Sequence, residues 1–304
     1  MAAPRPAATG ANGRVVGAHG RHFMVEADDG RRLLCHPRGK KGDAVVGDLV
    51  VWQPAGDEGV IERVVERRNL LFRQDEVRSK SFAANLDQLL VLVAVEPMYA
   101  ESQLTRALIA ADAAGIPSLI VLNKIDLPTA DAARERLAPY RAMGAAVVEL
   151  SLKKAGDEAQ AMLAPLLEGR ATLVLGPSGM GKSTLINRMV PAAAAQVGEI
   201  SQALNTGRHT TTTTTWYWLD EGRHSALIDS PGFQNFGLRQ LQPAELTVHM
   251  PDFRAHAGSC RFYNCTHLHE PGCGVRDALE RGEISPSRYR IYQELHEELS
   301  ATRY

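Results

Sequence analysis

One octapeptide restricts the fold of this chain more than any other feature. Gly176-Pro177-Ser178-Gly179-Met180-Gly181-Lys182-Ser183 has the form G-x4-G-K-S and stands between the apolar run ATLVL and the helix-forming GKSTLINRM. A strand, a glycine-rich turn and a helix in that order make a phosphate-binding loop. Its glycines let backbone N–H groups turn inward around phosphate oxygens, and the helix N-terminus adds positive potential. Lys182 is the expected contact of the β- and γ-phosphates and Ser183 an expected Mg²⁺ ligand, with Thr184 completing the expected nucleotide contacts.

The surrounding sequence has the rhythm such a loop requires. LDQLLVLVAV, PSLIVLN, AAVVEL and ATLVLG read as buried strands. Residues 101–115 and 130–144 have helical patterns that end at Gly115 and Gly144, and DEAQAMLAPLLEG is helical despite Pro165. WYWL and HSALID complete the strands, so a parallel α/β sheet with crossover helices is expected. Upstream, Arg14 to Arg73 holds short alternating runs broken by Gly, Asp-Gly and Pro. They predict a small OB-type β-barrel. Its basic excess, with Arg38, Lys40 and Lys41 in one loop, suits RNA, or else is a solvated charged loop on a structural barrel. Beyond Gly232 the pattern is mainly helical. The expected division is a tail over 1–13, the barrel over 14–73, the α/β domain over 74–235 and a helical domain over 236–304.

A phosphate loop does not choose a base, but Asn123-Lys124-Ile125-Asp126 follows the strand SLIVL and has the form N-K-x-D. A carboxylate there accepts two hydrogen bonds from guanine's ring N–H and exocyclic amine, where adenine offers neither donor. On its own the tetrapeptide is equally a polar loop with an Asn cap. Two further segments favour the nucleotide reading. Asp229-Ser230-Pro231-Gly232 fits D-x-x-G, with Asp229 near Mg²⁺ through water and the Gly232 N–H near the γ-phosphate. Ser151-Leu152-Lys153 stands where a base-contacting S-A-K loop belongs, with Leu152 replacing the alanine.

Of four cysteines, Cys35 stands alone, while Cys260, Cys265 and Cys273 fall within fourteen residues around His267. Three clustered thiols cannot pair evenly among themselves, which argues against a secreted disulfide scaffold. The string C-x4-C-x-H-x5-C supplies three thiolates and one imidazole, the set that closes a structural zinc site and leaves no position for a catalytic water. His269 competes with His267 for the nitrogen position, and iron competes with zinc. Three unrelated buried cysteines are the plainer possibility.

The motifs occur in an unusual order, with N-K-x-D and S-L-K before the phosphate loop and D-x-x-G after it. Joining the termini of an ordinary GTPase and cutting it after D-x-x-G produces this order with every strand retained. A barrel, a permuted nucleotide domain and C-x4-C-x-H-x5-C together resemble the bacterial ribosome small-subunit-dependent GTPase A family. The resemblance runs from about Arg14 onward and includes Ala84-Asn85-Leu86-Asp87 and Gly207-Arg208-His209-Thr210-Thr211. It implies a GTPase that binds the 30S subunit and its 16S rRNA, assists late maturation of that subunit, and hydrolyses GTP slowly alone and faster on it. GTP, Mg²⁺ and one structural Zn²⁺ are the implied cofactors, in a cytoplasmic monomer.

Slow turnover has a reason in the residues. Phe233 follows D-x-x-G where many GTPases place a water-orienting glutamine, and phenylalanine cannot hydrogen-bond a water. His209 is similar to a family histidine assigned that catalytic role; otherwise it holds the loop. Among Thr210–Thr215, Thr211 is the expected Mg²⁺ ligand, with Thr210 the alternative, and the rest continue into a strand.

Composition adds exclusions. A formal net charge of −1 argues against a polybasic nucleic-acid binder. The longest apolar run, about Leu89–Val95, falls short of the roughly 18 residues a membrane span needs. Three other functions compete: an RNA-binding scaffold with a weak nucleotide site, an ATP-using P-loop kinase, and a permuted GTPase of the large subunit.

Overall fold

The computed structural model describes residues 12–39, 42–74, 79–193, 214–231 and 236–301. Strands β1 (Gly13–His19), β2 (His22–Ala27), β3 (Arg32–Pro37), β4 (Leu49–Ala55) and β5 (Glu58–Val64) pair in the order β1-β2-β3-β5-β4, and β4 returns to β1. The five strands form a closed barrel around Val15, Phe23, Val25, Cys35, Val50 and Ile61. Cys35 is part of this core, and burial pushes its thiol up to about 12.

A hairpin of β6 (Leu70–Gln74) and β7 (Ser79–Ala84) spans the position expected to divide barrel from α/β domain. It pairs with neither of their sheets. Then β8 (Gln88–Ala94), α1 (Glu101–Ala113), β9 (Ser118–Asn123), α2 (Ala130–Ala142), β10 (Ala146–Leu150), α3 (Gly156–Leu167), β11 (Ala171–Leu175) and α4 (Lys182–Met189) alternate. After them come β12 (Thr215–Trp218) and β13 (Ala226–Asp229). Gly115 and Gly144 stand just past α1 and α2 at φ +67° and +90°, a left-handed turn that stops a helix cheaply only at glycine.

The strand order is β10-β9-β8-β11-β13-β12, and the first five are parallel. Strand β12 corrects the expectation of a wholly parallel sheet, because it runs antiparallel to β13. Only residues 219–225 join the two, too few for the crossover that a parallel neighbour demands. Its other edge meets β1 through Gly17 and Thr215, so the sheet continues into the barrel.

The parallel arrangement puts the C-terminal ends of β9, β10, β11 and β13 on one edge, where N-K-x-D, S-L-K, the phosphate loop and Asp229 begin. Such an edge is where open α/β sheets bind ligands.

Residues from Phe236 onward pack on the β6–β7 hairpin before the chain enters the Cys/His segment. Leu238 bridges Gln74 of β6 in parallel, Gln74 N–H donates to Gly237 O at 3.2 Å, and Phe236 stacks on Phe82 at 5.6 Å. Helices α5 (Pro251–Ala257), α6 (Gly274–Glu280) and α7 (Pro286–Ser300) follow.

These helices are fastened to α1 and α2. Arg288, 2% exposed, donates to both Asp252 oxygens and to Thr105 Oγ1, all at 2.8 Å, and lies over the Tyr140 ring. Arg106 pairs with Glu298, and His249 Nδ1 lies 2.8 Å from Asp112. Among the described residues no helix is long and apolar enough to cross a membrane.

Candidate functional site

A cleft of about 710 Å³ opens at that sheet edge. Gly176, Gly179 and Gly181 shape its floor for steric reasons. A Cβ at Gly176 would lie 2.4 Å from Leu92 O, and one at Gly181 would lie 2.4 Å from Asn123 Nδ2, with Gly181 at φ +107°. Lys182 begins α4, and its Nζ donates to the carbonyls of Gly176 at 2.7 Å and Pro177 at 2.9 Å. Burial pushes its pKa down, while Asp229 opposes the shift. Ser178, Ser183 and Thr184 line the cleft, whereas the Met180 side chain is buried beneath the loop.

Asn123 ties the base end together. It is 3% exposed; its Nδ2 donates to Met180 O at 2.9 Å, and its Oδ1 accepts from Lys124 N at 2.8 Å and Leu152 N at 3.0 Å. One amide therefore clasps three loops. Lys124, at φ +65°, reaches the phosphate loop through Nζ to Gly179 O at 2.9 Å. Ser151 Oγ donates to Asp126 Oδ1 at 2.5 Å, which orients the carboxylate beside the cleft. Leu152 is buried, and Lys153 lines the opening.

Two cleft residues had no role in the sequence reading: Glu96 lies outside every motif, and Ser230 is an unspecified position of D-x-x-G. Glu96 follows β8 and accepts from Thr129 Oγ1 at 2.7 Å. Ser230 is buried, and its hydroxyl donates to Val174 O at 3.0 Å, joining the end of β13 to β11.

Asp229 is 8% exposed, and its Oδ1 has no hydrogen-bond partner among the described residues. Burial raises its pKa to about 6, against the Lys182 charge and the Ser230 N–H. A buried carboxylate oxygen without a donor, in a cleft that also holds Ser183, fits a hard cation or a cation-bound water. His209, Thr210, Thr211, Gly232 and Phe233 lie outside the described residues.

The second cluster sits between α5 and α6. The ligand atoms of Cys260, Cys265, His267 and Cys273 all lie within 4.8 Å of one another. Cys260 Sγ is 3.9 Å from Cys273 Sγ, and His267 Nδ1 is 3.5 and 3.4 Å from those sulfurs. A tetrahedral ion bonded at about 2.3 Å to sulfur and about 2.0 Å to nitrogen sets edges of about 3.8 and 3.5 Å. The observed separations match.

His267 turns into the cluster at φ +62° and is buried, while His269 is exposed and outside it. Tyr289 Oη donates to His267 O and Tyr292 Oη to Thr266 O, each at 2.7 Å, which brace the turn from α7. Burial opposes ionisation of Glu270, yet hydrogen bonds from Thr266 and His269 hold its carboxyl far below the usual range.

Residues 64–239 match the RsgA GTPase family. The Small ribosomal subunit biogenesis GTPase RsgA of Variovorax paradoxus (strain S110) is 60% identical over 298 residues, covering 96% of this chain and 94% of that protein. The chain belongs to the RsgA GTPase family. The RsgA protein of Burkholderia pseudomallei (strain K96243), which carries the same name, is 55% identical over 302 residues, 97% of this chain and 96% of that protein. Two solved structures share the fold. YjeQ from Thermotoga maritima superposes with a TM-score of 0.74 at 31% identity, over 96% of this chain and 99% of that one. YloQ, described as a circularly permuted GTPase, superposes at 0.71 and 28%, over 99% and 100%. The RsgA fold seen here is thus a circularly permuted GTPase with a closed barrel before it and a Cys₃His knuckle after it.

Proposed function

We propose that this RsgA chain is a GTP hydrolase that works on the small ribosomal subunit during its maturation and is switched on by that subunit. The observation that carries this reading is the meeting, in one cleft, of the phosphate loop, the Ser151-braced Asp126 and the buried, unpartnered oxygen of Asp229. Phosphates take the backbone N–H groups of residues 176–183 and the Lys182 ammonium, which exchanges loop carbonyls for phosphate oxygens. Asp126 selects guanine through the ring N–H and amine, and Lys124 and Lys153 flank the base. Asn123 positions these loops from behind.

Mg²⁺ would be held by Ser183 and, through water, by Asp229; it would supply charge neutralisation at the β- and γ-phosphates. Thr211, Gly232 and His209 keep the roles that the family resemblance implies: switch ligand, γ-phosphate contact and orientation of the attacking water. The knuckle suits one structural Zn²⁺, since three thiolates and an imidazole close its coordination. The named role of the two bacterial relatives supports the small subunit as partner. We extend it to direct contact with 16S rRNA by a cytoplasmic monomer.

GTP turnover measured alone and with purified 30S, 50S and 70S particles tests the reading. Stimulation by 30S above the other particles is expected. Equal rates in all four conditions sink it.

A further inference from the structure

Two aromatic side chains project from the metal knuckle with no role in holding it. Arg261, Phe262, Tyr263 and Asn264 run between the ligands Cys260 and Cys265. Tyr263 is 103% exposed and Phe262 41%, although rings of this size normally bury much of their surface. No protein hydrogen bond holds the Tyr263 hydroxyl among the described residues.

The loop is not free to tuck the rings away. Both its ends are cluster residues, Arg261 N–H donates to Gly272 O at 2.8 Å, and Cys265 N–H donates to Phe262 O at 3.3 Å. Ion binding would fix this display further.

One cation stands beside the rings, Arg261, which is their neighbour in sequence. The Glu270 carboxylate is engaged within the knuckle by Thr266, Leu268 and His269. The Arg261 guanidinium carbon sits 5.5 Å from the Phe262 ring centroid. One ring beside a guanidinium and a second, fully exposed ring next to it in sequence are small for a protein interface, which takes about 800 Å² per partner around an apolar centre. They match the demands of one splayed nucleotide: an aromatic face for the base and a cation for its phosphate.

We infer that Tyr263, with Phe262 and Arg261, is a stacking platform for an unpaired nucleobase of RNA, with Arg261 meeting the adjoining phosphate. The inference deepens the proposed function and rests on its rRNA contact.

The full chain is tested as Tyr263→Ala, Tyr263→Phe and Tyr263→Trp, binding naked small-subunit rRNA and assembled small subunits. Metal content and basal GTP turnover are expected to stay at wild-type values, because the ring packs on nothing. Tyr263→Ala is expected to weaken naked-rRNA binding by about 5- to 150-fold, the range for losing one stacked base. Tyr263→Phe and Tyr263→Trp should retain binding, and the added indole should be quenched by RNA.

Wild-type affinity of Tyr263→Ala for rRNA overturns the platform alone. So does a loss confined to assembled subunits, which would mark a ribosomal-protein contact. If the wild-type chain binds no rRNA, both the platform and the rRNA part of the proposed function fall, while the 30S turnover assay still judges the GTPase reading.

Discussion

The nucleotide cleft and the metal knuckle gather residues from distant positions by different means. In the cleft, loops separated by many residues hang from adjacent strands of a sheet whose β8 and β11 are wholly buried. The sheet brings them together, and Asn123 then sets their spacing with one amide. The knuckle has no sheet behind it. Its flanking helices α5 and α6 are seven residues each, too short to be stable alone. Its turn is held by two tyrosines of α7, and its ligand atoms are spaced like the corners of a tetrahedron. A site placed by a sheet survives loss of its ligand. A site placed by its ligand does not.

The largest effect that can break this contrast comes from Cys273→Ser. A structural Zn²⁺ in a small module contributes about 10–16 kcal/mol of apparent binding free energy. Bound zinc should fall from one per chain to none. Residues 251–285 should gain hydrogen exchange by mass spectrometry, while GTP affinity stays within about threefold of wild type. A matching collapse of GTP affinity would mean that the cleft depends on the knuckle.

Asn123→Ala is the next step down and strikes the cleft's own clasp. It leaves Leu152 N–H and Met180 O buried without their partner, at about 1–3 kcal/mol each. A loss of about 4 kcal/mol in denaturant stability and a fall of GTP affinity by about tenfold or more are expected. Zinc content should not change. Loss of affinity with unchanged stability would instead make Asn123 a direct base contact.

The same contrast explains what the sequence made legible. Motifs such as G-x4-G-K-S, N-K-x-D and D-x-x-G are local, so they can be found without knowing the sheet. The clasp of Asn123 joins residues 123, 152 and 180, and no local pattern carries it. The Cys₃His set was readable by spacing, but the choice of His267 over His269 needed the fold, which buries His267 in the cluster and leaves His269 exposed. Strand β12 was readable as a strand, and its direction only from the short connection to β13. The Arg288 network unites residues 105, 140, 252 and 288, which are ordinary positions until two helical layers meet. Glu96 lines the cleft solely because β8 ends there.

The smallest effect sharpens the claim that the cleft is built in advance of its ligand. Burial raises the Asp229 pKa from 3.8 to about 6, so at neutral pH the folded chain holds this group ionised, at a greater cost than the unfolded chain does. A raised folded-state pKa contributes stability that is fully present below 3.8 and lost as pH rises through about 6. The shift corresponds to about 2–3 kcal/mol of desolvation cost at pH 7 and above, which a bound cation would offset. Asp229→Asn should therefore be more stable than wild type by about that amount at pH 7.5 in Mg²⁺-free buffer, and the advantage should vanish near pH 4. Turnover of GTP should fall at the same time. Paired denaturation curves at the two pH values check it. An Asn variant less stable than wild type at pH 7.5 would show that the Lys182 charge, not burial, governs Asp229, and that the cleft holds no desolvation cost for a metal to offset.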